Sequence, residues 1–338
     1  MKKLISLICV LAMVLALAAC GSSAPAAATE APAASTEASA EDVSADKTFV
    51  VGICQLVQHP ALDAATQGFK DALTEALGDK VTFQEQNASG DSATCSLICN
   101  QFVSDEVDLI MANATASIQA AASATNTIPI LGTSITDYGV ALGVDNWTGV
   151  SGTNISGTSD LAPLDGQAAM IQELFPEAKT IGLLYCSGEP NSIFQADSME
   201  ALLTDMGYSV ERYTFADSND VSSVTANACS NSDVLYIPTD NTAASCTEAI
   251  NNVALRAGIP IVAGEEGLAS GCGVATLSIS YYDLGRATGE MAAEILTEGA
   301  DISTMEVRFA PAFTKEYNAD ICEALNITVP EDYVAIAK

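Results

Sequence analysis

Along this chain, short unbroken apolar runs alternate with longer stretches in which apolar positions recur every three to four residues. The runs lie over 49–53, 81–84, 107–112 and 128–131, and the periodic stretches over 60–77, 91–104 and 116–124. The first pattern predicts buried strands and the second predicts amphipathic helices. Pro60 stands at the first turn of the first helix and Gly78 closes it. The resulting order, βαβαβαβ, is that of a parallel sheet with helices on both faces.

The plan then repeats. Strands are predicted over 180–185, 210–213, 234–238 and 259–262, and helices over 193–206, 221–228 and 243–257, with Gly207 and Gly258 as stops. Ala72-Leu73-Thr74-Glu75-Ala76-Leu77-Gly78 resembles Ala201-Leu202-Leu203-Thr204-Asp205-Met206-Gly207. Asp108 and Asp233 precede corresponding strands, and Ile128-Pro129-Ile130 matches Ile259-Pro260-Ile261. The matches fall in the same order with nearly constant offset. The expected architecture is therefore α/β, two doubly wound Rossmann-like lobes with a ligand cleft between them. A further strand over 275–279 is expected to return to the first lobe's sheet. The first lobe is then residues 47–155 and 275–310, and the second 156–274 and 311–338.

The N-terminus carries a different signal. Lys2 and Lys3 precede an apolar run that ends in Leu17-Ala18-Ala19-Cys20. A basic start, a short apolar core and small residues before a cut site predict a secretory signal over 1–19. The last four residues resemble a lipobox, which implies cleavage before Cys20 and lipidation of that cysteine. Residues 22–46 are almost all Ala, Ser, Thr, Pro and Glu. They bury too little apolar surface to offset ordering entropy, so 20–46 reads as a lipidated cysteine and a disordered tether. The protein is thus expected on the outer face of a cell membrane, or in a periplasm.

Charge narrows the partners. The chain has 12 basic and 43 acidic residues. Such a balance argues against nucleic acid, whose phosphates need Lys and Arg. It also repels anionic headgroups, which leaves anchoring to the lipid. Eight cysteines follow Cys20, scattered through an apolar body, and read as small buried thiols rather than a disulfide framework. Cys95 and Cys99 lack the C-x-x-C spacing of zinc or redox sites. No metal or cofactor is expected.

Ligands of open α/β sheets sit beyond the carboxyl ends of the strands, at helix N-termini. In the first lobe those ends run into Gln58 and His59, into Asn113 to Ser117 including Thr115, and into Ser134 and Asp137. In the second they run into Asn191 and Ser192, and into Asp240 and Asn241. Asp240 suits an ammonium group or an Asx cap. His59, the only histidine, suits a ligand contact or a plain cap. Tyr281 and Tyr282 open a helix and suit stacking on a flat ligand or core packing. Glu265 and Glu266 read as solvated surface. No G-x-S-x-G, H-E-x-x-H, P-loop or G-x-G-x-x-G occurs, so a binding protein is expected rather than an enzyme.

Taken jointly, Gln58-His59-Pro60-Ala61-Leu62-Asp63, Thr136-Asp137, Asn146-Trp147-Thr148-Gly149-Val150, Glu189-Pro190-Asn191-Ser192, Pro238-Thr239-Asp240-Asn241 and Tyr281-Tyr282-Asp283-Leu284-Gly285 resemble the ABC-transporter substrate-binding proteins of the tryptophan/tyrosine type. The resemblance spans roughly 47–330. It implies a type I periplasmic-binding-protein fold with three crossovers, an aromatic amino acid as ligand, membrane permease subunits as partners, and a monomer. It places the ligand carboxylate at Thr115, the ammonium at Asp240, and the side chain among Gln58, His59, Asn191 and Tyr281 or Tyr282. Where the family has Thr-Asp-Pro this chain has Thr136-Asp137-Tyr138, which puts an added tyrosine beside the cleft and bears on ligand size. A sugar or nucleoside ligand, a signalling receptor and an anchored enzyme are the alternatives left open.

Overall fold

The computed structural model describes residues 47–337. The signal, Cys20, the tether and Lys338 lie outside them. The first half of the chain runs β1 (Phe49–Gln55), α1 (Pro60–Leu77), β2 (Val81–Asn87), α2 (Ser92–Ser104), β3 (Leu109–Asn113), α3 (Thr115–Ala124), β4 (Ile130–Ile135), α4 (Tyr138–Leu142) and β5 (Ile155–Ser159). The second lobe follows with α5 (Leu164–Leu174), β6 (Thr180–Cys186), α6 (Pro190–Asp205), β7 (Ser209–Phe215), α7 (Val221–Asn231), β8 (Val234–Ile237), α8 (Asn241–Ala244), α9 (Thr247–Ala257), β9 (Ile261–Ala263), α10 (Glu266–Gly271) and β10 (Ala275–Ser278). The chain then returns through α11 (Tyr281–Glu298) and β11 (Arg308–Phe309) to the first lobe. It ends with β12 (Thr314–Tyr317), α12 (Ala319–Leu325) and β13 (Val334–Ala335) in the second.

Two sheets result, ordered β11-β5-β4-β3-β1-β2 and β13-β12-β10-β9-β8-β6-β7. The first is parallel throughout, and the second is parallel except where β12 pairs antiparallel with β10. Both faces of each sheet are buried, which is why the strands read as apolar runs. In the first lobe Val51, Ile53, Leu109 and Met111 form one core with Phe69 and Met291, while Cys54, Ile110 and Ala112 form another with Phe102 and Ile118. The second lobe is built alike, with separate cores on its two faces. The connections at 160–163, 279–280 and 310–313 cross between lobes, giving the three crossovers of the type I periplasmic-binding-protein fold.

The crossover boundaries differ from the sequence expectation. Ala275–Ser278 pairs with β9 and β12 in the second sheet, not with the first. Ile155–Ser159, which no apolar run announces, is the fifth strand of the first sheet. What returns to the first lobe after β10 is a helix. α11 lies in backbone contact with α1, because a Cβ on Gly285 would fall 2.0 Å from the Ala65 carbonyl oxygen and one on Gly68 2.1 Å from that of Tyr282. The helix predicted over 243–257 is broken into α8 and α9.

All eight cysteines of the described residues are free, and seven of them are buried. Among the described residues no helix is long and apolar enough to cross a membrane.

Candidate functional site

The carboxyl ends of β1, β3 and β4 face those of β6, β8 and β9 across the space between the lobes, and the helix N-termini that follow them differ in how they are closed. Asp137 caps α4 through Val140 N at 2.8 Å. Asp240 caps α8 through Ala243 N at 2.8 Å. Glu265 caps α10 through Gly267 N and Leu268 N, both at 2.5 Å. By contrast, no side chain caps α3, whose entry residue Ala114 has φ 85° and ψ 163°. That region is almost closed to residues with a Cβ, so backbone strain is held at the strand-to-helix turn. An uncapped N-terminus with Thr115 buried in its first turn is a natural seat for an anion.

The second lobe presents a polar network. Glu189 accepts from Asn241 N (3.0 Å) and Nδ2 (2.7 Å), from Thr242 N (2.8 Å) and Oγ1 (2.7 Å), and from Asn191 Nδ2 (3.2 Å). Asn191 Nδ2 also reaches the Thr239 carbonyl at 3.0 Å. Asp240 Oδ2 accepts from Cys186 N at 2.7 Å, and Ser192 lies beside it. Burial first, and the Glu189 charge second, push the Asp240 carboxyl above the usual carboxylate range.

Two contacts join the lobes here. His59 Nε2 lies 3.3 Å from Asn241 Oδ1, and Gln195 Nε2 lies 3.5 Å from Thr136 Oγ1. Since Asn241 Nδ2 is committed to Glu189, its Oδ1 faces the imidazole, and His59 carries its proton on Nε2. Burial lowers the His59 pKa, so the ring is neutral, and its Nδ1 is buried without a partner. Asn113 Oδ1, Ser134 Oγ and Asp160 Oδ1 are likewise buried and unpartnered.

The expected residues fall into three groups. His59, Thr115, Ser134, Asn191, Ser192, Asp240, Asn241 and Tyr281 are buried at the facing strand ends, with Asn113 buried beneath α1. Asp137 is partly buried and serves as a cap, and Gln58 is exposed. Tyr282 is 37% exposed and its hydroxyl bonds Asp71 of α1 at 2.9 Å, which fastens one helix to another. Tyr138 does not stand in the cleft. Its hydroxyl reaches the carbonyls of Gly132 (3.1 Å) and Thr158 (3.2 Å), and its ring stacks on Trp147 with centroids 5.7 Å apart, all within the first lobe. Glu265, expected on the surface, is 2% exposed because its carboxylate closes α10 from within. Gln195 and Asp160 were not singled out in the sequence. Gln195 sits mid-helix, and Asp160 follows a strand of small and hydroxyl residues.

Between the lobes lies a cavity of ≈ 400 Å³ lined by Leu56, Val57, Ser89 and Ala116 on one side and Glu189, Asp217 and Thr242 on the other. A second, of ≈ 300 Å³, lies between Pro60, Ala64, Glu265, Glu266 and Tyr281. No lysine or arginine among the described residues lines either. Nor do the described residues hold a group of three or more His, Cys, Asp or Glu placed to bind a metal ion.

The sequence matches the ABC transporter substrate binding protein family over residues 50–338. The chain belongs to that family. Among its relatives is a tyrosine-binding protein of Clostridioides difficile (strain R20291), 38% identical over 280 residues, 82% of this chain and 81% of that protein. Of solved structures, a Streptococcus pneumonia ABC domain in complex with L-Trp superposes with TM-score 0.80 at 31% identity, covering 84% of this chain and 97% of the other. The ligand-free, open structure of a substrate-binding protein with adhesive properties from Clostridium difficile gives only 0.66 at 37% identity, with 86% and 99% covered. The nearer sequence is thus the poorer superposition.

Proposed function

We propose that this ABC substrate-binding protein captures an aromatic amino acid, tyrosine or tryptophan, between its lobes and delivers it to an importer in the membrane. The observation that carries the reading is the polarity of the closed site. Of its unpartnered atoms, His59 Nδ1 and Asp160 Oδ1 are acceptors and Ser134 Oγ can accept or donate, and acidic side chains face it without a lysine or arginine in either cavity. Such a site calls for a ligand that brings hydrogen-bond donors and positive charge. The uncapped N-terminus of α3 at Thr115 supplies the opposite end, where a carboxylate is held. A zwitterion satisfies both. The names of the relatives support an aromatic side chain, for which His59, Asn191 and Tyr281 are the proposed surround.

Closure follows from contact with both lobes, since a ligand shifts the equilibrium only by binding the closed form better. We further propose that the protein is held at the outer face of the membrane by lipid on Cys20, with residues 20–46 as a tether and no catalysis of its own.

A melting-temperature screen against amino acids, nucleosides and sugars tests the ligand. A ligand at a hundredfold excess over its Kd stabilises the folded state by ~2.7 kcal/mol. A shift with tyrosine or tryptophan supports the proposal, and a shift with sugars or nucleosides alone removes it. Mass spectrometry of the N-terminal peptide checks for lipid on Cys20.

A further inference from the structure

The carboxylates between the lobes differ in how much of their accepting capacity the protein itself consumes. Both oxygens of Glu189 are engaged by main-chain and side-chain donors of α8. Asp240 gives one oxygen to Ala243 N and the other to Cys186 N. Glu265 gives one each to Gly267 N and Leu268 N. These three fix loops and helix ends. Asp160 is different. Its Oδ2 accepts from the Tyr281 hydroxyl at 2.9 Å, while its Oδ1 is buried with no partner.

Asp160 also stands where the lobes meet. It follows β5 at the first crossover, and Tyr281 opens α11 just after the second. The Thr136 hydroxyl lies beside the carboxylate and is itself the cross-lobe partner of Gln195. Asp160 is 3% exposed, and burial pushes its carboxyl up to about 6, with no basic group to offset the cost. A buried carboxylate with only the neutral hydroxyls of Tyr281 and Thr136 beside it is costly, and an alkylammonium is the ligand group that supplies both donor and charge.

We infer that Asp160 Oδ1, rather than Asp240, accepts the ligand's ammonium group, so that Asp160 selects an amino acid over the same molecule without its amine. This rests on the amino-acid reading above. The other unpartnered acceptors, His59 Nδ1 and Ser134 Oγ, are neutral and suit uncharged donors. Asp160 joined to Tyr281 places the charge at the crossovers themselves, where an occupied site braces two of the connecting segments at once.

The test compares L-tyrosine with des-amino-tyrosine, and L-tryptophan with its des-amino counterpart, by titration calorimetry on the purified protein. Wild-type protein is expected to prefer the amino acid by about tenfold to a hundredfold, the range for a hydrogen bond to a charged group. Asp160→Asn, nearly isosteric, is expected to bring that ratio to within about threefold of one. Asp160→Glu keeps the charge and is expected to retain part of the preference. A purely structural role would weaken both ligands of a pair alike, and an unchanged ratio in Asp160→Asn overturns the inference. So does a collapse of the ratio in Asp240→Asn with Asp160→Asn unaffected. Wild-type protein that binds neither amino acid overturns the amino-acid reading itself, and the inference with it.

Discussion

His59 of the first lobe and Asn241 of the second meet at 3.3 Å across the space between the lobes. The pair exists only when the lobes are together, with the imidazole donating through Nε2, and burial rather than this bond favours the neutral ring. Burial lowers the His59 pKa. Protons therefore bind the open or unfolded form more readily, and closure is favoured as pH rises through the ordinary histidine range near ~6.5. Asn241→Ala is expected to weaken ligand binding roughly tenfold at neutral pH. His59→Asn is expected to flatten the change in affinity between pH 5.5 and 7.5, as read by intrinsic-fluorescence titration.

Asp240 is a cap as much as a wall. Removing its carboxylate orphans two buried main-chain N–H groups, those of Ala243 and Cys186. Asp240→Ala is expected to cost about 2–4 kcal/mol in the absence of any ligand. Asp240→Asn, which keeps an acceptor for α8, loses less. Chemical denaturation of the ligand-free protein measures both, and an unchanged midpoint in Asp240→Ala would show that the cap contributes nothing.

Ala114 holds φ 85° at the entry to α3, a conformation that glycine adopts without strain. Ala114→Gly is expected to raise ligand-free stability by about 1 kcal/mol or to leave it level once unfolded-chain entropy is counted. A clear fall in melting temperature would mean that the turn is not strained.

Glu316 on β12 offers a second pH test. Its Oε2 is buried and unpartnered, and burial together with the Glu266 charge raises its carboxyl to about 7. The folded protein keeps this proton at a pH where the unfolded chain has lost it. The group's contribution is therefore most favourable in mild acid and is lost as pH rises through about 7. Glu316→Gln is expected to melt above wild type at pH 8 and level with it at pH 5. Equal melting curves at both would contradict the shift.

Much of this architecture is legible in the sequence because strands buried on both faces must be apolar, and helices on a sheet must be amphipathic. The internal repeat and the facing strand ends follow from those two rules. Legibility fails where the physics is not periodic. Ile155–Ser159 has one large apolar residue, because Gly157 packs against Gly132 and the hydroxyls of Thr158 and Thr288 pair at 2.8 Å beneath α11. With that strand unseen, Asp160 at its end was unseen too. Ala275–Ser278 has a strand's pattern, but pattern alone does not say which of two sheets it joins. Tyr138 reads as a tyrosine beside the cleft that bears on ligand size, yet three main-chain oxygens of β4 and β5 surround its hydroxyl.

The glycine-mediated seam between α1 and α11 has a consequence for the order of assembly. The first lobe's α11, Tyr281–Glu298, is synthesised only after nearly all of the second lobe. A nascent chain that has reached β10 has every strand of the first sheet but β11, and it lacks one of the two helices, α1 and α11, that cover one face of that sheet. Val51, Ile53, Leu109 and Met111, covered in part by Phe69 and Leu73, then wait for Met291 and Ala292. Folding of the leading half is thus tied to arrival of the trailing segment, a long-range closure that is slow and aggregation-exposed. The second lobe is contiguous from α5 to β10 but receives β12, α12 and β13 only at the end, so neither lobe is finished until the trailing segment has arrived.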